Sequence, residues 1–246
     1  KIFGDDEEVM HCIFKELKLA SVFHGMPHNN IVEFVGQRTV EKESVDLIME
    51  CYQDNLKSFI QRKRQEGTGM DVHQIIEFAL QLASAINYLH SLKQPIIHLD
   101  IKTDNIFLDN KDGSFTVKLG DFGEAQTLKK PDMLLFTPNV GTTEYRAPEV
   151  FGKGCDDNQG YGLKADIWSF GMVLYEMMTL SVPYQLDDYT FFQLPSVIEA
   201  GTRPTLPDEL WGLVHSGPDS KLWTSLINIF SETTHKVPAC RPSASH

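Results

Sequence analysis

The sequence has only four cysteines, Cys12, Cys51, Cys155 and Cys240, and no two of them form a C-x-x-C pair. Neither a disulfide framework nor a cysteine zinc site is indicated, and a reducing, cytoplasmic compartment fits. Long apolar runs are also lacking. The longest, from Ile167 to Tyr175, contains Ser169 and Gly171 and falls well short of the roughly 20 residues a membrane-spanning helix needs. Basic residues are scarce: 22 Lys and Arg stand against 34 Asp and Glu, a formal net charge of −12. Binding to nucleic acid or to an anionic membrane calls for a basic face, so neither partner is expected. No G-x-x-x-x-G-K-[ST] occurs, which disfavours a P-loop nucleotide site. No internal repeat and no long linker divides the chain.

What is present supports a sizeable core. With 246 residues, 41% of them hydrophobic, a chain buries roughly 70–75% of its unfolded surface. Lys1-Ile2-Phe3 reads as the end of a strand. A helix is predicted over Glu8 to Phe23, with Val9, Ile13, Leu17 and Ala20 as its apolar stripe and Glu16 at the stripe's edge. Ile31 to Gly36 and Val45 to Glu50 read as strands. The polar run Arg62 to Asp71 reads as a loop. Asp71-Val72-His73-Gln74 then opens a long helix as a capping box, followed by Val72, Ile75, Ile76, Ala79, Leu82, Ala83, Ile86 and Leu89 at helical spacing. A second, strongly apolar helix runs from Asp166 to Met178, where Asp166 is placed to cap the first N–H groups. The polar, Gly-rich stretch from Phe151 to Gly162 reads as a surface loop.

The stretch His98 to Gly123, HLDIKTDNIFLDNKDGSFTVKLGDFG, is the densest in chemistry. Two apolar runs, Ile106 to Leu108 and Phe115 to Leu119, flank Asn110-Lys111-Asp112-Gly113, and Asp-Gly between β-prone runs signals a hairpin. The hairpin gathers Asp100 and Asn105 at one end with Asp121 at the other, beside Lys102. Oxygen donors next to a lysine suit Mg²⁺ and phosphate, because magnesium takes one or two carboxylates and completes its shell with phosphate oxygens and water.

The spacing of His98, Asp100 and Asn105, followed by Asp121-Phe122-Gly123, resembles the signature of the eukaryotic protein kinase catalytic domain. Further marks extend the resemblance over nearly the whole chain: Gly141-Thr142-Thr143-Glu144-Tyr145-Arg146-Ala147-Pro148-Glu149, Asp166 to Gly171, Gly201 to Pro204, and Cys240-Arg241-Pro242-Ser243. The last two are similar to those of the tyrosine-kinase-like Ser/Thr group. The resemblance implies an α+β, two-lobed fold. Residues 1–52 would form the remainder of a small lobe with an antiparallel sheet and one helix, plus the hinge; residues 53–246 would form a larger, mostly helical lobe. It also implies that Lys1 is the third-strand lysine and Glu16 its helix partner. The two preceding strands and their G-x-G-x-x-G loop are absent, so the chain is expected to be an incomplete domain that binds ATP poorly by itself.

The same resemblance assigns roles. Asp100 would act as catalytic base and Lys102 would contact the transferring phosphate. Asn105 and Asp121 would hold Mg²⁺. Lys1, Glu16, Met49, Glu50, Cys51 and Phe107 would surround ATP, with Met49 as gatekeeper and Met49 to Tyr52 as hinge. His98, Phe122, Ala20 and Phe34 would form a hydrophobic stack, Asp166 would brace the catalytic loop, and Arg241 would pair with Glu149. Lys102 and Thr142 match kinases whose partners are protein substrates with Ser/Thr acceptors, and regulatory domains are expected outside the chain. Asp104, beside the site, would favour basic residues in a substrate. The rival reading, a pseudokinase scaffold or nucleotide-sensing module, is disfavoured because Lys1, Glu16, Asp100, Lys102, Asn105 and Asp121 are all retained. One departure stands out: leucine, Leu99, precedes Asp100 where most of the family has arginine. Phosphorylation at Thr137 or Thr143 is therefore expected to be less decisive, unless Lys129 or Lys130 supplies the missing charge.

Overall fold

The computed structural model describes residues 17, 19–41, 44–111, 113–137, 139–151, 160–185, 187 and 189–246. Lys1, Glu16, Val9, Ile13, Cys12 and Cys155, and most of the stretch read as a loop after Phe151, lie outside the described residues. The fold is α+β, with a small antiparallel sheet at one end and a larger helical body.

The small part holds helix α1 (19–25), which continues past Phe23, and strands β1 (Phe34–Glu41) and β2 (Ser44–Met49). These pair antiparallel, Gln37 opposite Leu47, with register shifts between Phe34 and Gly36 and between Thr39 and Glu41. The segment before β1 joins the larger body. Val32 N–H donates to Leu119 O at 3.0 Å, and Leu119 N–H to Asn30 O at 2.9 Å. Buried Asn30 also donates from Nδ2 to Val117 O and to Gln81 Oε1. Gln81 in turn accepts from Val117 N–H and donates to Phe115 O. A buried amide has to find partners, and here those partners tie the small part to one strand and one helix of the large part.

In the larger body, β3 (Asp54–Asn55) leads into α2 (Leu56–Gln65), where Asn55 caps the helix by accepting from Ser58 N–H and Arg62, Lys63 and Arg64 complement the dipole of its last turn. The predicted long helix is α3 (Val72–Ser91), capped by Asp71, which accepts from His73 and Gln74 N–H. Its fully buried face is Val72, Ile75, Phe78, Leu82, Ala85, Ile86 and Leu89. Ile76, Ala79 and Ala83 are only partly buried and line an apolar groove against Ile229 instead.

The predicted hairpin is β5 (Ile106–Lys111) and β6 (Ser114–Leu119), in register from Ile106 opposite Leu119 to Lys111 opposite Ser114. Gly113 has φ +85°, a conformation glycine adopts without strain. β3 adds to this sheet beside β5, while β4 (Ile96–Ile97) pairs with β7 (Gln126–Thr127). Helix α4 (Lys164–Thr179) is buried on nearly every side and forms the axis of the body; α5 (Leu194–Glu199), α6 (Asp208–Ser216) and α7 (Ser220–Thr233) follow. Gly171 permits its packing: a Cβ there would lie 2.5 Å from Thr233 Oγ1.

The expected Arg241–Glu149 pair is present and bidentate, at 2.6 and 2.8 Å. The Arg241 guanidinium is fully buried, donates to His235, Lys164 and Lys236 carbonyls, and lies over the Trp168 ring. Fork geometry with every N–H satisfied is the condition under which a buried ion pair is tolerated.

Candidate active site

The site is built where β4, the hairpin and α4 meet. Residues 98–102 form a loop that ends in a 3-10 turn, Thr103–Asn105, and the start of its backbone is held by Asp166. Asp166 Oδ1 accepts from Leu99 N–H at 2.9 Å, and Oδ2 accepts from His98 N–H at 2.9 Å and faces His90 Nε2 at 2.8 Å. The expected brace is therefore present, whereas the expected capping role is not. α4 begins at Lys164, and Asp166 makes no cap bond to it. This brace accompanies a strained backbone, since Leu99 has φ +68°.

His98 is fully buried and uses both ring nitrogens: Nε2 lies 3.0 Å from Gly120 O, and Nδ1 accepts from Asp100 N–H at 3.3 Å. One partner can only accept and the other can only donate, which defines the neutral imidazole. Burial, the largest influence, lowers its pKa and agrees with that form. His98 also meets Phe122 at 4.9 Å between ring centroids. Phe122 continues the contact to Phe34 at 6.4 Å and to Phe23 at 4.6 Å, and Ala20 is partly buried against the core these rings belong to. Phe23 is the member of this stack that sequence reading placed only at a helix end.

Asp100 lies at the centre of a polar cluster. Lys102 Nζ donates to its Oδ2 at 2.8 Å and Asn105 Nδ2 at 3.0 Å. Thr142 donates to Oδ1 twice, from Oγ1 at 2.7 Å and from N–H at 3.0 Å. Lys102 Nζ also donates to Thr142 Oγ1 at 2.8 Å. Burial alone would raise the Asp100 pKa, but Lys102, Thr142 and Asn105 outweigh it and hold the carboxyl below its ordinary value. At neutral pH the group is an ionised acceptor pointing its lone pairs at donors. Gly141 lets Thr142 come this close. It has φ +79°, and a Cβ on it would sit 2.1 Å from Leu99 O.

Asn105 and Asp121 are brought together by the hairpin. Gly120 N–H donates to Asn105 O at 3.0 Å, and Asp121 is the next residue. Asn105 is buried and spends its Nδ2 on Asp100 O and Oδ2, so its Oδ1 is the atom suited to a cation. Asp121 is exposed, has φ +59°, and accepts weakly from Gly123 N–H. One carboxylate and one amide oxygen form a hard-donor set that fits Mg²⁺ completed by phosphate and water.

The residues expected on the adenine side are less gathered. Met49 is 47% exposed, so it does not fill the core. Glu50 N–H donates to Glu33 O, and its carboxylate accepts from the Tyr52 hydroxyl, whose pKa burial pushes up to about 12. Cys51 is an exposed free thiol. Phe107 packs on Tyr52 at 5.8 Å, and its ring lies so close to Gly120 that a Cβ there would meet it at 2.9 Å. Asp104, expected to attract basic substrate residues, is already paired with Lys57 at 2.9 Å. Leu99, which precedes Asp100, is buried in the core.

One important residue escaped the sequence reading. Buried Glu176 accepts from Thr103 Oγ1 at 2.9 Å and from the Tyr145 hydroxyl in a short bond, and so joins α4 to both the loop and residues 143–145. Burial, its largest influence, raises its pKa. A single carboxylate inside the apolar run of α4 was the available signal.

A family model described as protein kinase domain matches residues 3–246. Among curated proteins, the chain is 33% identical over 222 residues to Kinase and exchange factor for Rac B of Dictyostelium discoideum, covering 89% of this chain and 18% of that protein. It is 35% identical over 213 residues to the Probable serine/threonine-protein kinase nek2 of the same organism, covering 85% and 47%. It is 33% identical over 192 residues to human Mitogen-activated protein kinase kinase kinase 4, covering 77% and 11%. The chain thus spans less than half the length of each of these relatives. With the ordered residues from His98 to Arg241 assembled as described and the family match running over almost the whole sequence, the chain belongs to the protein kinase domain family.

Proposed function

We propose that the protein containing this chain transfers the γ-phosphate of Mg²⁺-ATP to serine or threonine hydroxyls of protein substrates. The observation that carries this reading is the Asp100–Lys102–Thr142–Asn105 cluster. Phosphoryl transfer proceeds through a loose, charge-spread transition state, so position and electrostatics supply most of the catalysis. Asp100 orients the acceptor hydroxyl and takes its proton. Lys102 is in reach of both Asp100 and the incoming hydroxyl's site, and its cation steadies the phosphoryl oxygens. Asn105 Oδ1 and Asp121 would hold magnesium, which when bound neutralises charge on phosphate oxygens.

Met49, Glu50, Cys51 and Phe107 line the adenine side in this reading. The Lys1–Glu16 pair, supported by spacing in the sequence, would hold the α and β phosphates. The chain divides into a small lobe with hinge, residues 1–52, and a large lobe, residues 53–246. The tyrosine-kinase-like group is favoured by the marks at Gly201 to Pro204 and Cys240 to Ser243. A cytoplasmic location is supported by the free thiols of Cys51 and Cys240, and among the described residues no helix is long and apolar enough to cross a membrane. Relatives named for exchange-factor or RGS functions besides kinase activity support regulatory domains outside this chain.

The test is an assay of the full-length protein with Mg²⁺-ATP and a generic protein substrate, followed by phosphoamino-acid analysis. Phosphoserine or phosphothreonine that disappears on chelation with EDTA is expected. Nucleotide binding with no phosphate transfer under any of these conditions would overturn the reading in favour of a scaffold.

A further inference from the structure

A cation lies folded into the segment that carries Thr142. Arg146 is partly buried, and among the described residues its guanidinium bonds to backbone carbonyls and an amide oxygen. Nε donates to Val140 O at 2.8 Å, Nη1 to Asn139 Oδ1 at 3.3 Å, and Nη2 to Gly141 O in a short bond. The guanidinium carbon lies over the Phe151 ring, 4.9 Å from its centroid. One fork therefore holds three consecutive residues.

Two of those three residues have left-handed backbone. Asn139 has φ +60° and Gly141 has φ +79°, and left-handed backbone outside glycine persists only where its surroundings enforce it. Gly141 lies against Leu99 O, and Thr142, the next residue, bonds twice to Asp100 and once to Lys102. The shape enforced by Arg146 is thus transmitted within one residue to the catalytic carboxylate. The catalytic loop offers no cation of its own beside Asp100 on the N-terminal side, because Leu99 is apolar and 6% exposed.

We propose that Arg146 is a positioning residue for phosphotransfer: its fork folds residues 139–142 into the shape that presents Thr142 to Asp100 and Lys102, and it does so without a phosphate on the segment. The inference rests on the catalytic roles proposed above for Asp100 and Lys102. Lysine cannot replace arginine here, since a point charge lacks the planar set of donors that reaches several acceptors at once.

The test uses the full-length protein, treated with phosphatase and verified by mass spectrometry as unphosphorylated. Hydrogen exchange at residues 139–142, Mg²⁺-ATP affinity, kcat and KM are measured for wild type, Arg146→Ala and Arg146→Lys. Unphosphorylated wild type is expected to turn over. Arg146→Ala is expected to exchange faster at 139–142 and to lose about 10²-fold in kcat, the cost of a misplacement near 1 Å, with Mg²⁺-ATP affinity unchanged. Arg146→Lys should recover only part of both, and it carries the test if the alanine variant does not fold. Wild-type exchange and wild-type kcat in the variants would overturn the proposal, as would a loss of activity that only tracks the fraction folded. Phosphatase treatment that abolishes wild-type turnover would overturn the phosphate-free part. If no form turns over, the kinase reading fails, while the exchange measurement still decides whether Arg146 shapes the segment.

Discussion

The two acidic residues of the site are held in opposite ways. Asp100 is enclosed, with an 11% exposed side chain and donors from Lys102, Asn105 and Thr142 directed at it. Asp121 is exposed, and its position is set by its left-handed backbone and by the burial of Phe122 in the aromatic stack. One carboxylate is fixed through its own oxygens and the other through its neighbour's ring. Their chemistry differs accordingly. A base that must meet a hydroxyl at one angle benefits from fixed donors, whereas a ligand for a mobile cation needs oxygens that still face water.

The sharpest break in this comparison is Asp100→Asn. Loss of general-base catalysis costs about 10²–10⁴-fold, so kcat should fall within that range while Mg²⁺-ATP affinity, measured by calorimetry, stays the same. Stability should fall too, because the new amide places a donor against Lys102, Asn105 or Thr142. A buried donor without an acceptor costs about 1–3 kcal/mol, and each kcal/mol lowers Tm by about 2–4 °C for a domain of this size. The effect also has a pH signature. The folded Asp100 pKa lies below its ordinary 3.8, so its stabilisation is complete above that value and is lost as pH falls through the folded pKa. The Tm gap between wild type and variant should therefore be constant from pH 8 to pH 5 and close only in stronger acid. A gap that already narrowed near pH 6 would show that the Asp100 cluster is not what holds the proton off.

Asp121→Asn should produce the complementary pattern. Its side chain is exposed and its shape is kept, so Tm should not move. Mg²⁺-dependent nucleotide affinity should weaken, and kcat should drop by about 10²–10³-fold, the cost of removing one electrostatic stabiliser. Unchanged Mg²⁺-ATP affinity together with unchanged turnover would remove Asp121 from the metal site and leave Asn105 as the one ligand assigned to the described residues.

The same contrast separates what the sequence discloses from what it conceals. The hairpin of β5 and β6 is legible because its signals are local: two short apolar runs around an Asp-Gly turn, whose glycine takes φ +85°. α3 is legible for the same reason, with Asp71 at its start. Asp166 is visible as a carboxylate near a helix start, but local logic assigns it to capping. Its real partners, the Leu99 and His98 amides, are 67 and 68 residues away. Periodicity carries no information on such a pairing, and only the family resemblance supplied it. Glu176 shows the reverse case, a residue whose misfit with its apolar helix was a signal in itself. Phe23 was legible as apolar but not as a ring inserted beside Phe122, since its contacts depend on how α1 meets the large body.

The smallest expected effect concerns Asp104, a third acidic residue near the site, which is ion-paired where Asp100 and Asp121 carry roles in the proposed function. Lys57, at the start of α2, reaches it at 2.9 Å, and the two side chains are 32% and 40% exposed. An exposed pair of this kind contributes about 0.2–1 kcal/mol, so Lys57→Ala should change Tm by no more than a few degrees. The consequence for substrates is more informative. With Lys57 in place, a basic residue of an incoming peptide would have to displace an existing ion pair at Asp104. With alanine at position 57 the carboxylate is open, four residues from Asp100, and a peptide arginine can pair with it directly. Gaining about 0.4–1 kcal/mol corresponds to roughly two- to fivefold in kcat/KM. A peptide array with arginine or alanine placed before the acceptor should therefore show no preference in wild type and an arginine preference of that size in Lys57→Ala. The preference should fade at 1 M salt, where the Debye length is about 3 Å. Identical peptide selectivity in the two proteins would mean that Asp104 lies outside the path of the substrate and that Lys57 masks nothing.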